Sequence, residues 1–208
     1  MVRKLLLSVA PIALAFVAAC GGTVVGGHPD GGGGGGDGGT PPDLAACSGP
    51  GVCDITSRSC CGTCGQPTVG DMVGVHMDKV SAYRTLACSG GDQPCPACAA
   101  MPNPELVAVC RAKTCQAVDV GADDALSGCA RDEDCVLRYA NTCCEPCSGG
   151  LFRDLIALSV TGVEEYRANV CRPNEGACSR CLVEYPPAVK ATCNLATKHC
   201  EVLVPPPG

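Results

Sequence analysis

The chain has 208 residues, 21 of them cysteine, with a formal net charge of -6 at pH 7 and six aromatic residues, two Phe and four Tyr. So many cysteines and so few aromatics predict a scaffold stabilised by cross-links and exclude a core built on aromatic burial. An acidic chain without a basic run offers no footprint for phosphate groups, so nucleic-acid binding is not expected.

The N-terminus predicts export. Residues 1–4 carry two positive charges, residues 5–17 form an apolar run, and Ala18 and Ala19 precede Cys20. This order is that of a secretory signal, and the run is too short to favour a spanning helix. We therefore predict a signal peptide over residues 1–19.

The sequence VAAC, Val17 to Cys20, resembles the lipobox of bacterial lipoproteins. The resemblance implies cleavage before Cys20, a diacylglyceryl group on the Cys20 thiol, and fatty acyl chains such as palmitate that anchor the protein in a membrane. Gly21 stands where Asp would signal inner-membrane retention, so the resemblance implies an outer-membrane anchor, facing the periplasm or the exterior. Lipidation of Cys20 leaves 20 cysteines, an even number that can all pair.

Residues 21–46 contain twelve glycines and almost no apolar side chains. Such a segment cannot bury enough surface to offset its ordering entropy. We predict that residues 20–46 consist of the lipidated cysteine and a disordered Gly-rich tether.

Beyond the tether, ten cysteines recur in the same order. The separation along the chain between each cysteine of the first set and its counterpart in the second set is nearly constant. It is the same for the first two cysteines, one residue larger for the next seven, and two residues larger again for the last. This regularity predicts two tandem modules, module 1 (residues 47–118) and module 2 (residues 129–204), with a linker at 119–128 and a tail at 205–208. The cysteines are Cys47, Cys53, Cys60, Cys61, Cys64, Cys88, Cys95, Cys98, Cys110 and Cys115, then Cys129, Cys135, Cys143, Cys144, Cys147, Cys171, Cys178, Cys181, Cys193 and Cys200.

Both copies predict a strand followed by a helix. Residues 73–77 and 156–160 alternate larger apolar residues with small or polar ones, which is the pattern of a half-buried strand. Asp78 and Thr161 follow as expected helix N-caps, with a capping box from Thr161 to Glu164. Apolar residues then recur at i, i+3 and i+7, one face of a short helix.

Residues 106–118 and 189–204 each predict two short strands around a tight connection, and the segment from Cys135 favours a further edge strand. The predicted fold class is therefore a small disulfide-rich α+β fold with two tandem modules. Each module would have one short helix on a small antiparallel sheet.

The motifs CCGTC (residues 60–64) and CCEPC (residues 143–147) admit two interpretations. Each contains a CxxC that is followed by a second CxxC at the same distance in both copies, so four thiolates could hold zinc. In the other interpretation, the two vicinal cysteines pair with different partners. Export to an oxidising compartment favours disulfides. We predict twenty structural disulfide cysteines, no metal and no other cofactor, with the pairing left open.

Residues 129–147 resemble part of the whey-acidic-protein, or four-disulfide-core, domains, many of which inhibit serine proteases. The earlier cysteines of that family have no counterpart here, so we interpret the likeness as convergence. A protease inhibitor is the alternative function, with Arg58 or Arg138 entering a trypsin-like pocket.

Catalytic patterns are not apparent in the sequence. His28 lies in the tether, His76 and His199 do not recur between the copies, and there is no G-x-S-x-G motif. We therefore predict a lipid-anchored cell-envelope protein with a non-catalytic binding or structural role. Loops such as residues 66–71 and 149–154 would contact a periplasmic or extracellular protein, and a zinc-binding module is the second alternative.

Overall fold

The structure, a computed structural model, describes residues 40–90 and 94–205. The predicted signal peptide, the lipidation site at Cys20, most of the tether and residues 206–208 of the tail lie outside the described residues. Both modules and the linker between them belong to one unit, Asp37–Gly208.

Within the described residues, each module contains two pairs of antiparallel strands and one main helix. The elements that lead to and form module 1 are α1 (Pro42–Ala45), β1 (Cys53–Ser57), β2 (Met72–His76), α2 (Val80–Ala87), β3 (Leu106–Arg111) and β4 (Thr114–Asp119). Those of the linker and module 2 are α3 (Asp124–Ser127), β5 (Cys135–Tyr139), β6 (Leu155–Ser159), α4 (Gly162–Val170), β7 (Lys190–Asn194) and β8 (His199–Leu203). The predicted fold class is confirmed.

The strands of a module form two separate two-stranded ribbons, β1 with β2 and β3 with β4 in module 1, rather than one sheet. A Cβ at Gly74 would lie 2.6 Å from the backbone of Cys115, so this glycine allows β2 to pack directly against β4. In module 2 the corresponding residue is Ala157, which is buried among Cys135, Cys193 and Cys200. The two ribbons therefore pack face to face around disulfides.

The start of each main helix differs from the prediction. The strands before the helices begin one residue earlier than predicted, and a 3-10 turn, Met77–Lys79, separates β2 from α2. The predicted capping box at Thr161 is wrong, because Thr161 is itself in a helical conformation and its side chain caps nothing. Instead, the hydroxyl of Ser159 accepts a hydrogen bond from the Gly162 amide at 2.9 Å.

The short helices α1 and α3 occupy equivalent positions before the first cysteine of each module. Leu44 of α1 and Leu126 of α3 are separated by the same distance along the chain as Cys47 and Cys129, and both are buried. α1 lies in the segment predicted as tether, and α3 lies in the predicted linker. Both segments therefore contribute to the core.

The largest apolar cluster joins the two modules. Its buried members come from β3, the linker and module 2: Val107, Val109, Val120, Leu126, Ala140, Ile156, Leu158 and Tyr166. A smaller cluster in module 1 contains Leu44, Val73, Val75 and Tyr83. Helix α4 thus contacts β3 of module 1, whereas α2 packs against β2 of its own module and against α1.

Polar contacts surround the junction between the modules. The Cys110 amide donates to the side-chain oxygen of Asn169 at 2.9 Å, and the guanidinium of Arg111 donates to the carboxylates of Asp123 and Glu165. These hydrogen bonds from Arg111 hold the pKa of Asp123 below its usual value. Module 1, the linker and α4 are therefore joined by one ionic contact.

Candidate functional site

The structure joins the twenty module cysteines in ten disulfides, and the order of pairing is the same in both modules. The first cysteine pairs with the ninth, the second with the tenth, the third with the sixth, the fourth with the seventh, and the fifth with the eighth. Module 1 contains Cys47–Cys110, Cys53–Cys115, Cys60–Cys88, Cys61–Cys95 and Cys64–Cys98. Module 2 contains Cys129–Cys193, Cys135–Cys200, Cys143–Cys171, Cys144–Cys178 and Cys147–Cys181.

The vicinal cysteines of each motif have different roles. Cys143 is bonded to Cys171 at the end of α4, whereas Cys144 is bonded to Cys178 in the loop that follows the helix. Together with Cys147–Cys181, these disulfides staple the loop between β5 and β6 to the loop between α4 and β7. We call these two loops, residues 140–154 and 171–189, the stapled loop pair of module 2.

The stapling disulfides use the same sulfur atoms that the zinc hypothesis requires. Both CxxC motifs of module 1 are joined as Cys61–Cys95 and Cys64–Cys98, and those of module 2 are joined in the same way. A sulfur in a disulfide is not a thiolate and does not ligate zinc as one. The same holds for the sulfur clusters in which three ligand atoms approach within 4.8 Å.

A partly buried carboxylate braces the stapled loop pair. Glu145, between Cys144 and Cys147, accepts hydrogen bonds from the Tyr139 amide at 2.9 Å and the Tyr185 hydroxyl at 2.7 Å. Its other oxygen accepts from Arg138 at 3.0 Å. Because this carboxylate connects β5 to both loops, it fixes their positions beyond what the disulfides alone impose.

Two tyrosines complete the brace. The rings of Tyr139 and Tyr185 are stacked with their centroids 5.5 Å apart, and the Tyr139 hydroxyl donates to the carbonyl of Glu184 at 3.1 Å. Burial raises the pKa of Tyr185, and its hydrogen bond to the Glu145 carboxylate raises it further. Tyr185 therefore remains a neutral hydrogen-bond donor in the brace.

Arg138 belongs to this brace and cannot be the reactive arginine of a protease inhibitor. Only 4% of the residue is exposed, and its guanidinium donates to the carbonyls of Thr142 and Cys143 and lies over the ring of Tyr166. The prediction that Arg138 enters a protease pocket is therefore wrong, since the side chain is needed to neutralise Glu145. Arg58 is exposed, but its Nε atom donates to the Gly70 carbonyl at 3.1 Å.

The outer parts of the stapled loop pair are exposed and carry large side chains. Leu182 is 92% exposed, and Leu151 and Phe152, at the predicted contact loop 149–154, are more than half exposed. Arg180 is also exposed and lies between Cys178 and Cys181. These side chains stand on backbone that two disulfides and the Glu145 brace hold in place.

The equivalent loops of module 1 are joined differently. A backbone bridge connects Gly65 to Ala100, with the Gly65 amide donating to Ala99 and the Met101 amide donating to Gly65. In the predicted contact loop 66–71, the amide and hydroxyl of Thr68 donate to Asp71 and hold the pKa of Asp71 below its usual value. Module 1 thus closes its loops on each other.

An open groove of about 790 Å³ runs between the modules, next to the start of the second stapled loop. Asp54 and Ile55 of β1 line one side, and Asn141, Arg172 and Glu175 of module 2 line the other. The guanidinium of Arg172 lies 3.9 Å from the Asp54 carboxylate. The groove therefore combines charges of both signs and has no dominant sign.

The sequence pattern did not single out Glu145, Tyr185 or Arg180. A charged Arg138 within an otherwise apolar strand was one signal, because a charge at a buried position needs a partner. The position of Arg180 between two paired cysteines was another.

Comparisons of the chain with protein-family models, with curated proteins and with solved structures give no match. Among residues 40–90 and 94–205, no helix is long and apolar enough to cross a membrane.

Proposed function

We propose that the chain is a lipid-anchored protein of the cell envelope that binds a protein partner through its stapled loops and catalyses no reaction itself. The observation that carries this proposal is the stapled loop pair of module 2. Three disulfides and a partly buried carboxylate hold irregular, exposed backbone in one arrangement. The disulfide content also indicates an exported protein.

The physical reason is the entropy of binding. A loop that must be ordered on contact loses conformational freedom, and this loss reduces affinity. Cross-links remove that freedom before the partner arrives, so a stapled loop retains more of its contact energy as affinity. Exposed apolar side chains such as Leu182 and Phe152 supply such contact energy.

The lipid anchor is proposed from the sequence of residues 17–20. Acylation of Cys20 would fix the chain to the outer membrane, and the Gly-rich tether would let the modules reach a partner beyond its surface. More than one acyl chain at Cys20 would give stable anchoring.

The anchor is tested by comparing the wild type with Cys20→Ala in the native host. Membrane flotation should place the wild type with the lipid fraction and the Cys20→Ala chain elsewhere, and mass spectrometry of the N-terminal peptide should find acyl chains on Cys20. An unmodified Cys20 in a membrane-free wild type would reject the anchor.

In this proposal, disulfides and not zinc ions hold the binding surface. Measuring free thiols and zinc on one preparation distinguishes these two possibilities. The chain is purified from an oxidising compartment, alkylated without reduction and weighed, and zinc is assayed on the same material. We expect no alkylation of the module cysteines and no zinc. Eight alkylated thiols with about two zinc ions per chain would support two four-thiolate sites instead.

A further inference from the structure

The second stapled loop of module 2 contains a stretch of extended chain. Residues 175–186 contain no helix, strand, turn or bend, and none of them has a positive φ. The backbone N–H and C=O groups of residues 179–183 make no hydrogen bond within the described part of the chain. Because residues 179–182 are also exposed, their backbone is open to pairing with the backbone of a partner.

Disulfides hold this stretch on both sides of Arg180. Cys178 is bonded to Cys144 and Cys181 to Cys147, so both anchor points lead back to the loop that Glu145 braces. Extended backbone with free hydrogen-bonding groups is normally mobile, and ordering it would oppose binding. Here the conformation is fixed in advance.

The side chains on this stretch indicate a class of partner. Arg180 is exposed and has no hydrogen bond or ion pair within residues 40–90 and 94–205, and Leu182 is 92% exposed. A serine endopeptidase of trypsin-like specificity binds an arginine side chain in a pocket with a carboxylate at its base. An arginine on a rigid, extended loop is the ligand that such an enzyme holds tightly.

We propose that residues 178–183 form a substrate-like loop that inhibits a trypsin-like serine endopeptidase, with Arg180 in the specificity pocket and Leu182 beyond the Arg180–Cys181 peptide bond. The proposal rests on the binding function above and names its partner. Arg180 thus takes the role of the reactive arginine, which Arg138 cannot fill because it is buried.

Module 1 keeps the two flanking disulfides, Cys61–Cys95 and Cys64–Cys98, but lacks the arginine and the free backbone at the equivalent site. Ala97 stands in the place of Arg180, the Cys98 amide donates to the Pro96 carbonyl at 2.9 Å, and the following residues bridge to Gly65. Its backbone is therefore not free to pair with a protease. We assign the inhibitory loop to module 2 alone.

The test is a trypsin inhibition assay with the full chain, purified in mild detergent after oxidative folding. We expect inhibition of the hydrolysis of a small arginyl substrate. Arg180→Ala should raise the inhibition constant by about 100-fold or more, since a central arginine anchor is typical of a binding hot spot. Arg180→Lys should retain inhibition, because lysine also fits a pocket with a basal carboxylate. Arg84→Ala, on the exposed face of α2 in module 1 and away from the stapled loops, should leave it unchanged.

A wild-type chain that leaves trypsin active would overturn the proposal, as would equal inhibition by Arg180→Ala. Cleavage of the Arg180–Cys181 bond without inhibition, seen as a gain of one water in the unreduced mass, would also overturn it. The double variant Ala97→Arg with Arg180→Ala should not inhibit, and inhibition by it would contradict the role given to the free backbone.

The same variants distinguish the protease proposal from the proposed function as a lipid-anchored binding protein. If Arg180→Ala abolishes binding to anionic vesicles while the wild type does not inhibit trypsin, the loop binds lipid instead, and the protease proposal fails. Disulfide mass and membrane flotation of each variant report on folding and anchoring independently. A folded, anchored chain without trypsin inhibition therefore rejects the protease proposal and leaves the proposed envelope function standing.

Discussion

The two modules share one disulfide framework but fill it with different side chains. In module 2, Arg138, Glu145 and Tyr185 brace the stapled loops, whereas module 1 has Thr56, Gly62 and Pro102 at the corresponding positions. In the structure, both modules have the same disulfide pairing, but only module 2 has the Arg138–Glu145 ion pair between its loops. The cross-links thus fix the topology, and the side chains between them determine how each loop is held.

The main helices show the same divergence. Tyr166 of α4 is completely buried in the cluster that joins the modules, and Asn169 is also buried. On α2, Leu86 occupies the position of Asn169 and is 50% exposed. The main helix of module 2 therefore forms part of the interface with module 1, whereas the equivalent helix of module 1 exposes the corresponding residue to solvent.

The first prediction compares the two aligned leucines before the modules. Leu126→Ala should lower the free energy of unfolding by about 4 kcal/mol and Leu44→Ala by about 2 kcal/mol, since large-to-small changes cost most where the site cannot collapse. Leu126 lies in a cluster of eight buried residues that joins the modules, and Leu44 lies in one of four. Guanidinium unfolding with intact disulfides measures both, and equal losses would contradict the difference between the two cores.

The second prediction removes the carboxylate of the brace. Glu145→Gln should lower the free energy of unfolding by about 3 kcal/mol, because the Arg138 side chain is 5% exposed and would lose its counter-charge. Glu184→Gln, at an exposed residue of the other stapled loop, serves as the control and should change little.

A double variant tests the cause of this loss. Arg138→Met combined with Glu145→Leu should recover much of the stability, because apolar residues of similar volume replace a buried ion pair without leaving a charge behind. Stability of the double variant below that of Glu145→Gln would mean that the hydrogen bonds of Arg138, and not its charge, dominate.

The fold class and the disulfide content could be predicted from the sequence because both depend on features repeated in each copy. Ten cysteines at nearly constant offset define two units, and the strand and helix periods recur in both. The short helix around Leu44 was not predicted. Leu44 and Leu126 are nevertheless separated along the chain by the same number of residues as Cys47 and Cys129, the first cysteines of the two modules. The glycine content of the preceding residues masked that signal.

The pairing and the junction could not be predicted. Ten cysteines permit many pairings, and only tertiary structure selects one. The junction depends on Arg111 and Asn169, which do not recur in the other copy. Comparing the two repeats reveals the residues that both modules share. It does not reveal residues such as Arg111 and Asn169, which join the modules and are present in one copy only.

The third prediction concerns the aligned pair on the helices. Asn169→Leu should lower the free energy of unfolding by about 2 kcal/mol, because the Cys110 amide would lose its acceptor in a site that α4 covers. The reciprocal change, Leu86→Asn, should alter it by no more than about 0.5 kcal/mol, as expected at an exposed position. Hydrogen exchange at the Cys110 amide should become faster only in Asn169→Leu. Unchanged exchange there would contradict the assigned hydrogen bond.

The fourth and smallest prediction concerns the ionic contact between the modules. Arg111→Gln should lower the free energy of unfolding by about 1 kcal/mol at pH 7, because the arginine side chain is 29% exposed and solvent screens part of its attraction for Asp123 and Glu165. The matched control is Arg84→Gln on the exposed face of α2, which should show little loss.

The pH dependence of this difference has a definite sign. Arg111 lowers the pKa of Asp123 in the folded chain, so its contribution is present above the ordinary aspartate pKa of about 3.9 and is lost as the pH falls through the lowered value. The difference between wild type and Arg111→Gln should therefore shrink below about pH 4. Unfolding curves between pH 7 and pH 2 measure it. A difference that stays constant over this range would mean that Arg111 joins the modules through packing of its aliphatic stem rather than through its charge.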